Sequence, residues 1–235
     1  MRMLCNPEDA ADATQEILIL IVTKLSTFRG ESSFHTWSYR VAANYLLTAQ
    51  KIANRESNLT FDGFRRDLED CLVVDSAPSA VTSVMLNELR VSCTMAMLLC
   101  LNLKHRIAYV LGDILEFEHD EAAKVLEISK GNYRKRLSRA RKEIISFTSQ
   151  ACGLASDDAR CTCPRRLPAA KTSGRLHPNM RAFVQDGAPS YAEVMSQVKQ
   201  IEGDLKVLVL QTAMPHFKSP VDLGARITEI VQGPN

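Results

Sequence analysis

Between Lys130 and Lys142 the chain carries seven basic residues and no acid: Lys130, Arg134, Lys135, Arg136, Arg139, Arg141 and Lys142. Leu137, Ile144 and Ile145 mark a buried side at helical spacing, and the cations cover much of the rest. A helix that enters a DNA groove needs cations for phosphates and a few polar side chains near its start for base edges. Lys130, Asn132, Tyr133, Arg134, Arg136 and Arg139 are the candidates, against the plainer alternative of a solvated basic face. A second group is cysteine: Cys152, Cys161 and Cys163 stand as C-x8-C-x-C, with His177 the nearest histidine. Thiolates bind zinc tetrahedrally, and a fourth ligand is needed. The spacing is not that of a zinc knuckle, so a structural zinc and reduced, uncoordinated thiols both stay open. A disulfide between Cys161 and Cys163 would close a strained ring.

The elements that must position these groups read as helices throughout. Asn6 suits a helix N-cap, Pro7 the first helical position, and Glu8 and Asp9 its positive end. Ile17, Leu18, Ile21, Val22 and Leu25 then continue at helical spacing towards Phe28, and a second helix is expected from about Phe34 to Ala53. From Arg55 to Asp75, six acids (Glu56, Asp62, Asp67, Glu69, Asp70, Asp75) face three bases (Arg55, Arg65, Arg66), without clear periodicity. An acidic linker over 54–79 with short helical pieces follows. Helical patterning returns from Ala80, through Lys104 to Leu115. His119–Leu126, a turn at Glu127–Ser129 and Lys130–Phe147 then have the spacing of a helix-turn-helix, with Ser129 as N-cap. Residues 152–189 lack periodicity. Tyr191–Met214 reads as an amphipathic helix interrupted at Gly203, and Val221–Val231 as a short terminal one. The expected fold class is all-α, with units at 1–53, 54–79, 80–148 and a Cys-containing, mostly helical extension at 149–235.

The composition narrows the function. The chain has 235 residues, 46% hydrophobic and 24% charged, with a net charge of +2. Any nucleic-acid surface must therefore come from local segregation of charge. The longest apolar runs, Ile17–Val22 and Met95–Leu101, fall short of the roughly 20 residues a membrane span needs. No secretory leader pattern is visible, and seven cysteines are too few for a disulfide scaffold of this length. A cytoplasmic, reducing setting is expected. No phosphate-binding glycine loop or nucleophile elbow occurs, and five scattered histidines (35, 105, 119, 177, 216) offer no hydrolase site, so no enzyme is expected.

The segment from Leu115 to Arg141 resembles the "LGFSYEEIAEILGISEGTVKSRLHRAR"-like stretch of extracytoplasmic-function (ECF) RNA polymerase sigma factors. Glu121-Ala122-Ala123, Leu126, Ile128-Ser129, Gly131 and Arg136 to Arg141 fall on that pattern. Independently, Asp12-Ala13-Thr14-Gln15-Glu16 is similar to the family's "DAxQE" motif, and Phe28 to Asn44 to its "FRGESSFxTWLYRIAxN" motif. Together the matches cover about residues 8–147. Leu101 to Arg106 replaces the family's "LPPEQR"-like lead-in to the second domain.

The resemblance implies a promoter-specificity subunit with core RNA polymerase and promoter DNA as partners, no catalysis of its own, and an anti-sigma factor as a further possible partner. Asp12, Gln15 and Glu16 would dock on polymerase, where complementary potentials guide association; acids that merely complement the helix dipole are the alternative. Ser32, Ser33, Phe34, Trp37, Arg40 and Asn44 would hold the melted −10 element, rings stacking on bases and polar groups reading edges or backbone. Trp37 and Tyr39 lie on different faces of one helix, and core packing competes with base contact for Trp37. The basic helix would read the −35 element. The acidic linker would thread a nucleic-acid channel, or serve as a solvated tether. The family carries a further helix ahead of the DAxQE helix. Only Met1 to Cys5 precede Asn6: either the true start lies upstream, or the domain is incomplete, and an absent helix would expose the face of Ile17, Ile21 and Leu25 at about 25 cal/mol per Å² left in water. A helix-turn-helix regulator that does not recruit polymerase is the alternative function; it would have no use for the Phe28–Asn44 segment.

Overall fold

A computed structural model describes residues 1–48, 59–70, 72, 80–174, 176 and 189–214. Among the described residues there are ten α-helices and no strand, only an isolated parallel bridge between Cys152 and Cys161. The expected terminal helix at Val221–Val231, His177 and parts of the linker lie outside the described residues.

Helix α1 spans Pro7–Thr23. Asn6 caps it as its sequence position requires, Oδ1 accepting from the Asp9 amide at 3.0 Å. A 3₁₀ turn, Leu25–Thr27, leads to α2, Phe34–Thr48. Helix α3, Phe61–Glu69, lies within the acidic linker. Its Phe61, Phe64 and Leu68 recur at i, i+3, i+7, a pattern too short to stand out among its charges. Phe64 stacks on Phe147 at 5.6 Å between ring centroids. Arg65 sits 5.5 Å over the same ring, a cation–π contact.

Helix α4, Ala80–Cys100, is the central element. Its Ser83–Cys100 window has the length and hydropathy of a membrane span, yet 61% of it is buried inside this chain, so the apolar residues serve the core. Helix α5, Leu103–Tyr109, ends in a π-turn at Val110–Ile114, in place of the single helix expected to Leu115. Helices α6, His119–Val125, and α7, Lys130–Ala151, complete the helix-turn-helix. Arg106 joins α4 to α5: it is 1% exposed and donates to the carbonyls of Leu98, Leu99 and Leu101. They lie at and just beyond the C-terminus of α4, where carbonyls run short of intrahelical donors; Leu98 O also accepts from the Leu101 amide at 3.2 Å. The same guanidinium donates to Met3 O at 2.8 Å and so ties the N-terminal segment to this domain.

The extension departs most from expectation. Cys163–Thr172 is a helix, α8, capped by Thr162 and begun by Pro164. The expected helix, interrupted at Gly203, is two: α9, Tyr191–Lys199, and α10, Leu205–Thr212, with Gly203 between them at φ +59°, a left-handed conformation that favours glycine. Leu167, Ala170, Val194, Val198 and Leu210 bury against Leu86 and Leu89 of α4. Polar groups cross the same seam: Arg90 Nη1 donates to Ala213 O at 2.7 Å, and Asn87 Nδ2 to Pro189 O at 2.8 Å. Arg166 donates to Asp70 O and to Asp67 Oδ1, and Arg2 to Gln211 O. The extension is therefore built into the body that holds the helix-turn-helix.

Candidate nucleic-acid interface

Ser129 fixes the start of α7, its Oγ accepting from the Asn132 amide at 3.2 Å. Leu137, Ala140, Ile144 and Phe147 then bury one side at helical spacing. On the other side Lys130, Asn132, Arg134, Lys135, Arg139 and Lys142 are exposed, and Arg136 is half-buried. Burying the apolar stripe is what turns these cations outward together. Lys130 Nζ meets Asp120 at 2.7 Å, which holds Asp120 below the usual carboxylate range and anchors the helix start to α6. Arg141 grips Asp113 of the π-turn through two nitrogens, so this cation braces the fold.

Tyr133 is the correction in this set. It is fully buried, its hydroxyl donating to Ala108 O at 3.2 Å, and burial raises its pKa to about 12. Position 133 falls on the Leu137–Ala140 stripe, so the ring faces the core, away from solvent. Gly112 allows this packing. A Cβ there would lie 2.5 Å from the Tyr133 hydroxyl oxygen and 2.9 Å from Leu137 Cδ2.

The N-terminal set divides among three surroundings. Ser33 caps α2, Oγ accepting from the Thr36 amide at 3.0 Å, while Ser32 Oγ reaches only the Ser33 carbonyl. Phe34 is 49% exposed and Trp37 is 9% exposed; with Phe28 they form a ring cluster at 5.6–5.8 Å. Trp37 is thus the buried floor and Phe34 the open edge. Phe28 is the member that residue spacing did not single out. Arg40 and Asn44, one and two turns on from Trp37, turn to the helix-turn-helix: Arg40 Nη1 is 3.9 Å from Glu127 Oε1, and Asn44 Nδ2 donates to Glu127 Oε2 at 3.4 Å. Tyr39, two residues on from Trp37 and so on a different face, packs at 4.9 Å against Phe117.

Asp12 and Glu16, one turn apart on α1, are exposed, with Gln15 half-buried beside them. The Tyr45 hydroxyl of α2 is pushed up by burial, then by Glu16 and Asp12, which places that ring in their field. An open groove of about 410 Å³ lies between α1, α2 and α5, lined by Ile17, Tyr39, Leu46, Ile107 and Leu115 among others. Ile17 and Ile21 are partly buried, and Leu25 is 51% exposed.

The cysteines sit apart from these surfaces. Cys93, Cys152, Cys161 and Cys163 line an apolar void of about 30 Å³. Burial raises the Cys161 thiol to about 12 and lifts Cys152 and Cys163 in the same direction, which favours the protonated form over the metal-binding thiolate. Among the described residues no three His, Cys, Asp or Glu side chains are grouped to hold a metal ion.

Residues 1–55 match the Sigma-70 region 2 family, and residues 92–144 the Sigma-70, region 4 family. The chain is 30% identical over 141 residues to the ECF RNA polymerase sigma-E factor of Haemophilus influenzae, an alignment covering 58% of this chain and 72% of the relative. It is 28% identical over 139 residues to the protein of that name from Escherichia coli, with the same coverage. The capped α2 with its ring cluster and the open cationic face of α7 fall inside the two matched regions. The chain belongs to the ECF RNA polymerase sigma factors.

Proposed function

We infer that this chain is a promoter-specificity subunit, which binds core RNA polymerase and directs transcription initiation. The observation that carries the reading is the pairing, in one chain, of a region 4 helix-turn-helix whose cations face solvent with a region 2 helix that carries exposed Phe34 and capped Ser33. Sigma factors are initiation factors and not enzymes; phosphodiester chemistry belongs to the polymerase. At the finer level, Asp12, Gln15 and Glu16 supply the polymerase contact. Ser32, Phe34, Arg40 and Asn44 hold the opened −10 element, with Trp37 as the floor under Phe34. Lys130, Asn132, Arg134, Arg136 and Arg139 read the −35 duplex, through phosphates and major-groove edges. Such a subunit works beside the polymerase in the cytoplasm.

The test is transcription by core polymerase from a randomised promoter library, with and without the chain. Reproducible start sites that depend on the chain are the expected result. DNA binding without polymerase binding would favour a plain helix-turn-helix regulator instead.

A further inference from the structure

Four of the chain's thiols gather where the extension leaves α7. Cys93, Cys152, Cys161 and Cys163 line one void between α4, α7 and α8, and all four are free. Among the described residues no three metal-ligating side chains are grouped to hold an ion, so the cluster is read for the other chemistry of thiols, their oxidation.

The backbone brings two of the four into register. Cys152, which closes α7, and Cys161 face each other across the parallel bridge, and the Gly153 amide donates to Cys161 O at 2.8 Å. Residues paired across such a bridge carry their side chains on the same side, and bridged backbones lie about 4.8 Å apart. That spacing falls inside the Cα separation of about 4.4–6.8 Å at which a disulfide closes. Glycine at 153 permits the approach: a Cβ there would lie 2.9 Å from Thr162 Cγ2 and 3.0 Å from Cys161 O. The other two thiols are placed differently. Cys163 opens α8, one residue beyond Cys161, and hydrogen-bonds the Tyr191 side chain. Cys93 belongs to α4.

We propose that Cys152 and Cys161 form a reversible disulfide, a redox staple that ties the entrance of α8 to the end of α7 when the surrounding thiol pool turns oxidising. The oxidant is a low-molecular-weight disulfide. The Cys161 thiolate attacks one of its sulfurs and expels one small thiolate. The Cys152 thiolate then attacks the mixed disulfide at Cys161 and expels the second. Two protein thiols are thereby oxidised by two electrons, one small disulfide is reduced to two thiols, and the protons lost by the cysteines go to the departing thiolates. Burial, then Cys152, push the Cys161 thiol up, against the pull of the Arg166 and Arg165 guanidiniums. Attack therefore waits on an opening of the loop, and the pair is slow to oxidise. Once formed, the bond closes a short loop and restricts the unfolded chain. It also secures α8, whose Arg166 reaches Asp67 and Asp70. Lys142, the last cation of the exposed face of α7, is ten residues before Cys152, about 15 Å along the helix, so the staple acts on the extension and not on duplex binding.

The test incubates the full chain with oxidised glutathione, alkylates free thiols and digests with trypsin. Cleavage after Arg160 puts the two sulfurs on different peptides, so the bond joins 143–160 to 161–165. The joined pair is expected in the wild type, in Cys163→Ala and in Cys93→Ala, and is expected to vanish with dithiothreitol, in Cys152→Ala and in Cys161→Ala. Oxidation should raise Tm by on the order of 5 °C in the wild type and not in Cys152→Ala, with duplex affinity unchanged. Each variant is compared with its own reduced form, which removes the cost of the substitution to the core. A bond that persists in Cys161→Ala, glutathione adducts that never proceed to a bond, or a wild-type Tm that oxidation leaves unmoved or lowers would each overturn the staple. A large change in duplex affinity on oxidation would overturn its confinement to the extension.

Discussion

The two helices that bear the nucleic-acid candidates, α2 and α7, present their polar faces in opposite ways. On α7 all the cations but half-buried Arg136 stand in solvent, and among the described residues the acids paired with them are Asp120, on Lys130, and Asp113, on Arg141. On α2, Thr36, Tyr39 and Arg40 are folded against the neighbouring domain, while Phe34, His35 and Asn44 are exposed. The polar side chains of α7 thus face solvent, whereas those of α2 are in part tied to the neighbouring domain.

The largest effect that can break this contrast is on α7. Reversing charge in Arg134→Glu/Arg136→Glu should cost about 1–3 kcal/mol per position, roughly a hundredfold or more in affinity for the −35 duplex. The slope of affinity against salt should also become shallower, because fewer counterions are released. Polymerase pull-down should be unchanged. A double variant that kept wild-type, salt-dependent duplex affinity would remove α7 from the interface.

Tyr133 sharpens the same boundary. Its ring is core, so Tyr133→Ala should destabilise the domain by about 3–5 kcal/mol, as large-to-small core changes do. Tyr133→Phe loses only the hydroxyl bond to Ala108 O, about 1 kcal/mol, and should leave duplex affinity untouched. A selective loss of DNA binding in Tyr133→Phe, with Tm preserved, would put the hydroxyl back in the interface.

How much of this was legible beforehand differs residue by residue. Asn6 and Ser129 as caps, the outward cations of α7 and the separate faces of Trp37 and Tyr39 follow from local chemistry and the period of 3.6. That same period places 133 with 137, 140 and 144, so the burial of Tyr133 was available from the pattern, and its polar hydroxyl concealed it. Helix α8 was hidden because much of what Arg166 satisfies lies in α3, about a hundred residues away in sequence. The α2–α6 contact was not legible at all. Nothing local in Glu127 announces Arg40 or Asn44 as its partners; only its left-handed backbone, which a sequence does not print, marks it as unusual.

Gly112 supports the α7 side from beneath. In Gly112→Ala the new methyl meets the Tyr133 hydroxyl and Leu137, both locked in the core, so an overpacking cost of about 1–3 kcal/mol is expected. The loss should appear in thermal or denaturant unfolding of the full chain. Unchanged stability would mean that the π-turn yields and does not brace α7.

The smallest expected effect separates the two faces by the nature of their contacts. Duplex binding through α7 should fall steeply with salt, since each phosphate contact releases counterions. The α2–α6 closure should respond far less. Its Arg40–Glu127 pair is partly exposed and 3.9 Å long, worth about 0.2–1 kcal/mol at most, and it weakens as the screening length shrinks from about 10 Å at 0.1 M salt to about 3 Å at 1 M. The His35 and Tyr39 ring contacts with Phe117 are largely indifferent to salt. Photo-crosslinking to the Phe117 peptide from Tyr39→p-azidophenylalanine should accordingly fall by less than half across that range, while duplex affinity falls by orders of magnitude. If the crosslink vanished along with duplex binding, charge alone would hold α2 closed, and the ring stack would be a consequence of closure and not one of its causes.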